Sequence, residues 1–220
     1  SKILEIHLFP LLLEFANTKN YRIVLADHQN YYPDLTFVDA DDETKKFAVD
    51  LKTTYRKPHQ DGYCNGFTLG SHGMYFTDRT STKNIQFPYN EYNGHFCLGV
   101  IYNRAVVKDI DETKRLRLED LESITSVISD IEFFVVEKWK IASDKGGSGN
   151  TANIGSINYI DDIINGRGMF AELGEEWFDD YWMNYNKISV TTPEGETKKI
   201  NTLASFVEYK QGPVELVRKK

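Results

Sequence analysis

With 220 residues, the chain is long enough to bury one sizeable core, so a single domain over 1–220 is expected. Its 40% hydrophobic and 27% charged residues are ordinary values for a soluble globular protein. The 33 acidic residues exceed the 26 basic ones, which gives a net charge of −7. This balance argues against a protein that coats nucleic acid non-specifically, but it permits a local basic cleft or acidic metal ligands.

Cysteine usage and the amino-terminal segment point to the cytoplasm. Cys64 and Cys97 are predicted to be reduced thiols, and the five histidines lack the spacing of zinc ligands. The apolar stretch at 7–16 is interrupted by Glu14, lacks a following cleavage site and is too short to span a bilayer. Its helix starts without a capping residue, which predicts that further chain precedes it.

The predicted elements are a mixture of helices and strands. In chain order they are a helix at 1–19 with Pro10 as a kink, strands at 21–26, 34–38 and 46–54, a polar loop at 55–66, a strand at 95–104 buried on both faces, a helix at 118–129, a strand at 131–142, a glycine-rich loop at 143–156, and short helices at 158–166 and 175–185. Beyond residue 186 the chain is predicted to be irregular. This order predicts an α/β fold with a mixed central β-sheet flanked by helices.

Two carboxylates are predicted to face each other across a hairpin. The segments 34–38 and 46–54 are joined by an acidic turn, and pairing residues whose numbers sum to 84 places Asp34 opposite Asp50. Because side chains alternate along a strand, Lys52 projects beside Asp50. The apolar residues of both strands then share the opposite face as core: Leu35, Phe37, Phe47, Val49 and Leu51.

The opposed carboxylates suggest a metal site. They would repel one another, whereas a hard divalent cation such as Mg²⁺ between them would make the pair favourable. Lys52 could orient or deprotonate a water, or stabilise charge during phosphodiester hydrolysis. The alternative is a solvated polar strand face with a simple Asp–Lys contact, which an isolated D-x-K more often marks. The Pro33–Asp34 pair on the partner strand favours the metal site.

The glycine-rich stretch KGGSGNTANIGS at 145–156 lacks the order of a nucleotide-binding loop. Its amides and hydroxyl could bond base edges in a major groove, because Asn reads adenine and Gly permits close approach. A plain surface loop is the alternative. The polar side chains that suggest DNA contacts are Asn150, Thr151 and Asn153 in this loop, Gln29 and Asn30 near a minor groove or phosphates, and Lys83 at a phosphate. The alternatives are a polar strand lead-in at 29–30 and a solvated surface lysine.

Six segments occur together in one order: NYYPDLTF, AVDLKTTY, FTLG, TKNI, DKGGSGNTANIGSI and FDDYWMNY. With these segments the chain resembles the EcoRV family of type II restriction endonucleases, within the PD-(D/E)xK nuclease superfamily. The similarity covers about residues 1–104 and 131–185. It implies a restriction-endonuclease-like core with three parts: 1–142 as catalytic core with a dimerisation helix, 143–156 as DNA recognition loop, and 157–220 as carboxyl-terminal helices and tail.

The resemblance also implies roles for individual residues. Asp34, Asp50 and Lys52 would be catalytic, and Glu5 a third acidic residue, with Asp34, Asp50 and Glu5 as metal ligands. The residues implied to bind DNA are Gly147, Ser148, Gly149, Asn150 and Thr151 in the major groove, Gln29 and Asn30 in the minor groove, and Thr53, Thr54 and Lys83 at the backbone. The implied enzyme is a homodimer that uses Mg²⁺, or Mn²⁺ in its place, and no nucleotide cofactor, and cuts double-stranded DNA bluntly at GATATC.

Some positions depart from the family pattern. Met183 stands where the family carries arginine, residues 70–82 form a longer stretch, and 105–130 show little likeness. Two other functions stay open. One is a structure-specific repair or junction nuclease of the same superfamily, and the other is a sequence-specific DNA-binding protein without catalysis.

Overall fold

The computed structural model describes residues 2–105, 113, 115–124, 126–147, 152–191 and 196–218. The strands are β1 Tyr21–Leu25, β2 Leu35–Asp39, β3 Lys46–Tyr55, β4 Thr68–Ser71, β5 Gly94–Arg104, β6 Ile128–Glu137, β7 Ala142–Gly146, β8 Asn153–Ser156, β9 Ser189–Thr191 and β10 Thr197–Lys199. The α-helices are α1 Lys2–Thr18, α2 Met74–Thr77, α3 Ile160–Ile164, α4 Glu175–Asn184 and α5 Leu203–Tyr209. Short 3₁₀ helices cover Tyr89–Glu91, Leu118–Ser123, Lys138–Ile141 and Val214–Leu216.

The central sheet is mixed, as predicted. Its five strands lie in the order β1-β2-β3-β5-β6. β3 and β5 run parallel, whereas the other neighbours are antiparallel. β5 lies inside the sheet and is buried over most of its length, which confirms that its apolar run is a central strand.

Packed side chains cover both faces of the sheet at β2, β3 and β5, whereas Phe133 and Val135 in β6 are exposed. On one face, α1 packs onto a cluster formed by Ala16, Leu35, Phe37, Val49 and Leu98. This confirms that the apolar face of the β2–β3 hairpin is part of the core. The opposite face, which begins with Ala48 in β3, joins the larger cluster of the protein. Asp50 and Lys52 thus lie on a covered face and not on the solvated strand face of the alternative reading.

The glycine-rich segment is a hairpin over much of its length. Strands β7 and β8 pair antiparallel, and β8 also pairs with β4 to form a three-stranded sheet. The prediction of a loop over 143–156 is therefore wrong at both ends of the segment. Glycine at position 155 permits the close pairing, since a Cβ there would lie 2.6 Å from the Lys145 carbonyl oxygen.

Two further predictions are corrected between β5 and β7. The helix predicted over 118–129 is a 3₁₀ helix at Leu118–Ser123, and β6 starts at Ile128. The strand predicted over 131–142 ends at Glu137, because a 3₁₀ turn at Lys138–Ile141 redirects the chain. The side chain of Lys138 is 2% exposed, so this turn brings a charged residue into the core.

The carboxyl-terminal part is more ordered than predicted. The two short helices predicted before residue 186 are present as α3 and α4. Beyond them, β9 and β10 pair, and α5 buries Leu203, Phe206 and Val207 in the main core. In the parts of the chain that the structure describes, no helix is long and apolar enough to cross a membrane. Cys64 and Cys97 are buried free thiols.

Candidate active site

The hairpin of β2 and β3 has the predicted register. Leu35 pairs with Val49 and Thr36 with Ala48, so paired residue numbers sum to 84. This confirms the predicted pairing of the two strands. Asp34 directly precedes β2, and the same register directs it toward Asp50 in β3.

The three polar side chains of the hairpin are in close contact. The Lys52 ammonium nitrogen lies 2.5 Å from the Oδ2 atom of Asp50. The backbone amide of Leu51 donates a hydrogen bond of 2.6 Å to the Oδ2 atom of Asp34. Asp50 is 8% exposed, and Asp34 is half-buried. The constellation is therefore built on two neighbouring strands and is largely shielded from water.

Burial and mutual repulsion control the charge of this group. Burial and, second to it, the neighbouring charge of Asp50 raise the pKa of Asp34 to about 6, while Lys52 and the Leu51 amide oppose the shift. Burial alone would lower the pKa of Lys52, but the charges of Asp50 and Asp34 outweigh it and hold that pKa above its ordinary value. Lys52 is therefore a protonated ammonium in the cation-free site.

This donor set fits a divalent cation with few protein ligands. Burial first, and the charge of Asp50 second, raise the pKa of Asp34 in spite of the neighbouring Lys52, so a cation would favour the charged form of this carboxylate. Mg²⁺ commonly takes one or two carboxylates and completes its shell with waters and substrate oxygens. Among the described residues, no group of three or more His, Cys, Asp or Glu side chains is placed to hold a metal. The prediction that Glu5 is a metal ligand is therefore not supported by a cluster of three carboxylates among the described residues. Glu5 and Asp34 do line one cavity of about 350 Å³.

A block of aromatic rings supports the backbone before Asp34. Tyr32 is buried, donates or accepts a 3.0 Å hydrogen bond with His95 Nδ1, and stacks on Tyr75 at 5.5 Å. Its ring also lies 4.8 Å from the ammonium of Lys138. Sequence reasoning missed these residues because they come from four distant segments. The signal in the sequence was the pair of aromatic residues, Tyr31 and Tyr32, directly before Pro33 and Asp34.

Lys138 is an unusual buried charge. Among the described residues its ammonium has no hydrogen-bond partner, and it lies over the rings of Tyr32, Phe76 and Tyr89 at 4.8 to 5.4 Å. Burial lowers its pKa to about 8, against the opposing attraction of Asp50. The positive charge thus contributes to the electrostatic field on the covered side of the carboxylate pair.

The base of the predicted recognition loop is well defined. The amide of Gly147 donates a 2.7 Å hydrogen bond to the Asn153 carbonyl, which closes the hairpin below the loop. The predicted DNA-contacting residues Ser148, Gly149, Asn150 and Thr151 lie outside the described residues. The structure therefore places the hairpin that carries the loop and not the loop itself.

The other predicted DNA contacts differ in their exposure. Gln29, Asn30 and Lys83 are exposed, and Gln29 lines the cavity that contains Asp34. Thr53 is half-buried. Thr54 is buried and donates its hydroxyl to the Asn65 carbonyl, so this structure does not present it to a phosphate.

The mixed sheet, with a Pro-Asp opposite an Asp-x-Lys on its central hairpin, has the organisation of a PD-(D/E)xK nuclease. A sequence model of the family described as Restriction endonuclease EcoRV matches residues 1–211. The chain is also 35% identical over 190 residues to the type II restriction enzyme EcoRV of Escherichia coli, an alignment that covers 86% of this chain and 75% of that relative. The chain belongs to the EcoRV family of restriction endonucleases.

Family membership defines the class of reaction. The protein is a type II restriction endonuclease of the EcoRV type, which makes it a site-specific nuclease with DNA as its substrate. Enzymes of this type generally depend on a divalent metal. The Asp34–Asp50 pair is the part of this structure that fits such a metal.

Proposed function

We propose that the protein is a homodimeric, Mg²⁺-dependent restriction endonuclease that cleaves double-stranded DNA bluntly within GATATC. The observation that carries the catalytic part is the contact of Asp34, Asp50 and Lys52 on one hairpin. The cleavage specificity rests on the glycine–asparagine loop between β7 and β8, and on the 35% identity to the Escherichia coli enzyme. The proposal treats 1–220 as one nuclease domain.

Asp34 and Asp50 would hold the cation, with Mn²⁺ as a substitute for Mg²⁺. When bound there, the cation supplies Lewis-acid activation of the scissile phosphate. The Leu51 amide holds Asp34 in place through the 2.6 Å hydrogen bond, and Lys52 holds Asp50. Neither carboxylate therefore needs to reorganise before substrate binds.

Lys52 acts in this proposal as a charge donor and not as a base. Its pKa is held above the ordinary value by Asp50 and Asp34, so the amine keeps its proton at neutral pH. A fixed ammonium beside the scissile phosphate stabilises the negative charge that develops during hydrolysis. Glu5, across the cavity it shares with Asp34, would contribute charge near the site without completing the set of ligands.

The exposed polar residues would bind the DNA around this site. The loop closed by Gly147 and Asn153 would enter the major groove, and Gln29 and Asn30 would contact the minor groove. Lys83, Thr53 and Thr54 would contact the DNA backbone, although Thr54 would first have to release the Asn65 carbonyl. No nucleotide cofactor is needed for hydrolysis. A cytoplasmic location is supported by two buried thiols that are not joined in a disulfide.

The test is cleavage of a plasmid with a single GATATC site, with and without Mg²⁺. One blunt cut at that site is expected for the wild type, with at least about 10³-fold slower cleavage for Asp50→Asn. Glu43→Gln is the matched control, since this exposed carboxylate lies at the far end of the same hairpin and pairs with Arg22.

Each failure has a separate meaning. Cutting at other sequences would reject the GATATC specificity while keeping the active site. Cutting at many unrelated sequences would indicate a structure-specific nuclease. Specific binding with no cleavage under any divalent metal would reject the catalytic proposal.

A further inference from the structure

Strand β4 lies between the hairpin of β7 and β8, called the recognition hairpin below, and the stacked rings of Tyr32 and Tyr75 beside Asp34. β8 pairs with β4 through Ser71, which lies opposite Asn153. The Ser71 hydroxyl donates a 3.2 Å hydrogen bond to the Ala152 carbonyl, and the amide of His72 donates to the same carbonyl at 2.9 Å. The loop end of the hairpin is therefore tied to the end of β4.

The same end of β4 contacts Tyr75. The Ser71 amide donates a 3.1 Å hydrogen bond to the Tyr75 hydroxyl. The neighbouring Gly70 has a φ of +88°, and a Cβ there would lie 3.3 Å from the Tyr75 hydroxyl and 3.5 Å from the ring of Tyr32. The backbone of β4 thus passes directly against both tyrosine rings.

The stacked pair of Tyr75 and Tyr32 lies close to Asp34 along the chain. The rings of Tyr75 and Tyr32 are stacked at 5.5 Å with an angle of 9° between their planes, and both are buried. Only Pro33 separates Tyr32 from Asp34, and the proline ring restricts the backbone between them. A displacement of the Tyr32 ring would therefore be passed to Asp34, since closely packed interiors transmit strain.

We propose that Tyr75 is a positioning residue: it couples the position of the recognition hairpin to the position of Asp34. This inference rests on the proposed function, in which the hairpin reads the DNA sequence and Asp34 holds the catalytic cation. When the loop is correctly bound, the hairpin fixes the position of β4. β4 in turn fixes the position of the tyrosine pair, and the pair fixes the position of Asp34. The enzyme then cuts its own site faster than a near-identical one because binding alone does not complete the active site.

Two variants interrupt the chain of contacts at different points. Tyr75→Phe keeps the stacked ring and removes the acceptor of the Ser71 amide. Ser71→Ala removes the hydroxyl that binds Ala152, and it serves as the second variant if Tyr75→Phe folds poorly. The control is Tyr89→Phe. Tyr89 belongs to the same stack, 6.3 Å from Tyr75 and 6.4 Å from Tyr32, and its replacement leaves the hydrogen bond between the Ser71 amide and the Tyr75 hydroxyl in place.

The first readout is hydrogen exchange of the Leu51 amide in the free protein, which reports on Asp34 because that amide donates to its carboxylate. Exchange at Leu51 is expected to rise about threefold or more in both variants and to stay unchanged in Tyr89→Phe. The same exchange rate in wild type and Tyr75→Phe, or equal increases in Tyr75→Phe and Tyr89→Phe, would overturn the proposal.

The second readout is the ratio of kcat/KM on GATATC to that on a site with one changed base pair. The ratio is expected to fall about tenfold in Tyr75→Phe, mainly through kcat on GATATC, and to hold in Tyr89→Phe. An equal loss on both sites would mean a merely structural role. A wild type that cuts no DNA would remove the proposed function, whereas Leu51 exchange would still decide whether Tyr75 positions Asp34.

Discussion

Lys52 places its ammonium 2.5 Å from a carboxylate oxygen of Asp50, two residues earlier in the same strand. Residues two apart in a strand share one face, and this face is covered by the main core. Asp34, directly before the neighbouring strand β2, adds a second carboxyl. The charge of this small group affects the stability of the cation-free protein. In the proposed function it also binds the cation, and the predictions below separate the two effects.

Replacing Asp34 by Asn is expected to stabilise the cation-free protein above pH 6. The folded pKa of Asp34 is about 6 against an ordinary 3.8, so the native state binds more protons between these values and loses stability as pH rises through them. Asp34→Asn removes that loss, which is worth roughly 1 kcal/mol at pH 7.5 after allowance for partial exposure. Urea unfolding in a chelator at pH 3.5 and 7.5 measures it.

The same variant separates repulsion from metal binding. Added Mg²⁺ should raise the free energy of unfolding of the wild type and leave Asp34→Asn nearly unchanged. Glu43→Gln, at the exposed end of the hairpin, should behave as the wild type in both experiments. A lower stability of Asp34→Asn than of the wild type at pH 7.5 in chelator would contradict the inferred repulsion.

Replacing Lys138 by Met is expected to stabilise the protein at neutral pH. Its folded pKa of about 8 lies below the ordinary 10.5, so the unfolded state binds more protons between these values and wild-type stability rises with pH there. Below pH 8, Lys138→Met should gain about 1 to 3 kcal/mol, because removal of the buried charge outweighs the lost ring contacts.

The pH dependence of this gain identifies its cause. The difference in unfolding free energy between Lys138→Met and the wild type should shrink from pH 8 toward pH 10.5, as the wild-type lysine becomes neutral in the folded state. Lys140→Met is the control, since this neighbouring lysine is partly exposed and pairs with Glu137. A pH-independent difference would show that packing and not charge explains it.

Lys52→Gln is expected to slow cleavage by about 10³-fold while divalent cations still bind. The variant keeps both carboxylates and removes only the ammonium. Single-turnover cleavage and a Mn²⁺ titration measure the two effects separately, with Lys45→Gln on the same hairpin as the exposed control. Loss of cation binding together with cleavage would show that Lys52 mainly supports the ligands.

The pH profile tests whether Lys52 is a base. Its pKa is held above 10.5, so it keeps its proton through the physiological range. Any rise of the cleavage rate with pH near neutrality should therefore be present in both the wild type and Lys52→Arg. A rise that is present in the wild type and absent in Lys52→Arg would assign the base to Lys52.

Gly155→Ala is expected to weaken the binding of GATATC. The added methyl would meet the Lys145 carbonyl at 2.6 Å, so β7 and β8 would have to move apart below the recognition loop. Affinity for GATATC should fall at least about tenfold, with a stability cost of about 1 to 3 kcal/mol. Gly66→Ala is the control, because its methyl would meet only the Ser156 hydroxyl at 3.9 Å. Equal affinities of the two variants would contradict this role of the hairpin.

The part of the site that sequence reasoning predicted is local. The register of β2 and β3 follows from alternation with a period of two and from a short turn, and both can be read within about twenty residues. That register already directs Asp34 toward Asp50 and puts Lys52 beside it. The same local signals predicted α1, α4 and the buried strand β5.

The tertiary structure decided what lies behind this hairpin. Lys138 looked like part of a continuous strand, yet a 3₁₀ turn brings it under Tyr32. Tyr75 and His95 reach the same ring from other segments. Nothing in the local pattern states which distant residues will meet.

By itself, the sequence indicated the family through the motifs that resemble it. It also determined the β2–β3 hairpin and the order of most elements, because alternation and turn chemistry act between near neighbours. Only the tertiary structure decided that both faces of the hairpin are covered, that the glycine-rich segment is a paired β-hairpin, and that α5 is buried in the core. Burial depends on contacts between residues far apart in the chain, and burial is what raises the pKa of Asp34 and lowers that of Lys138.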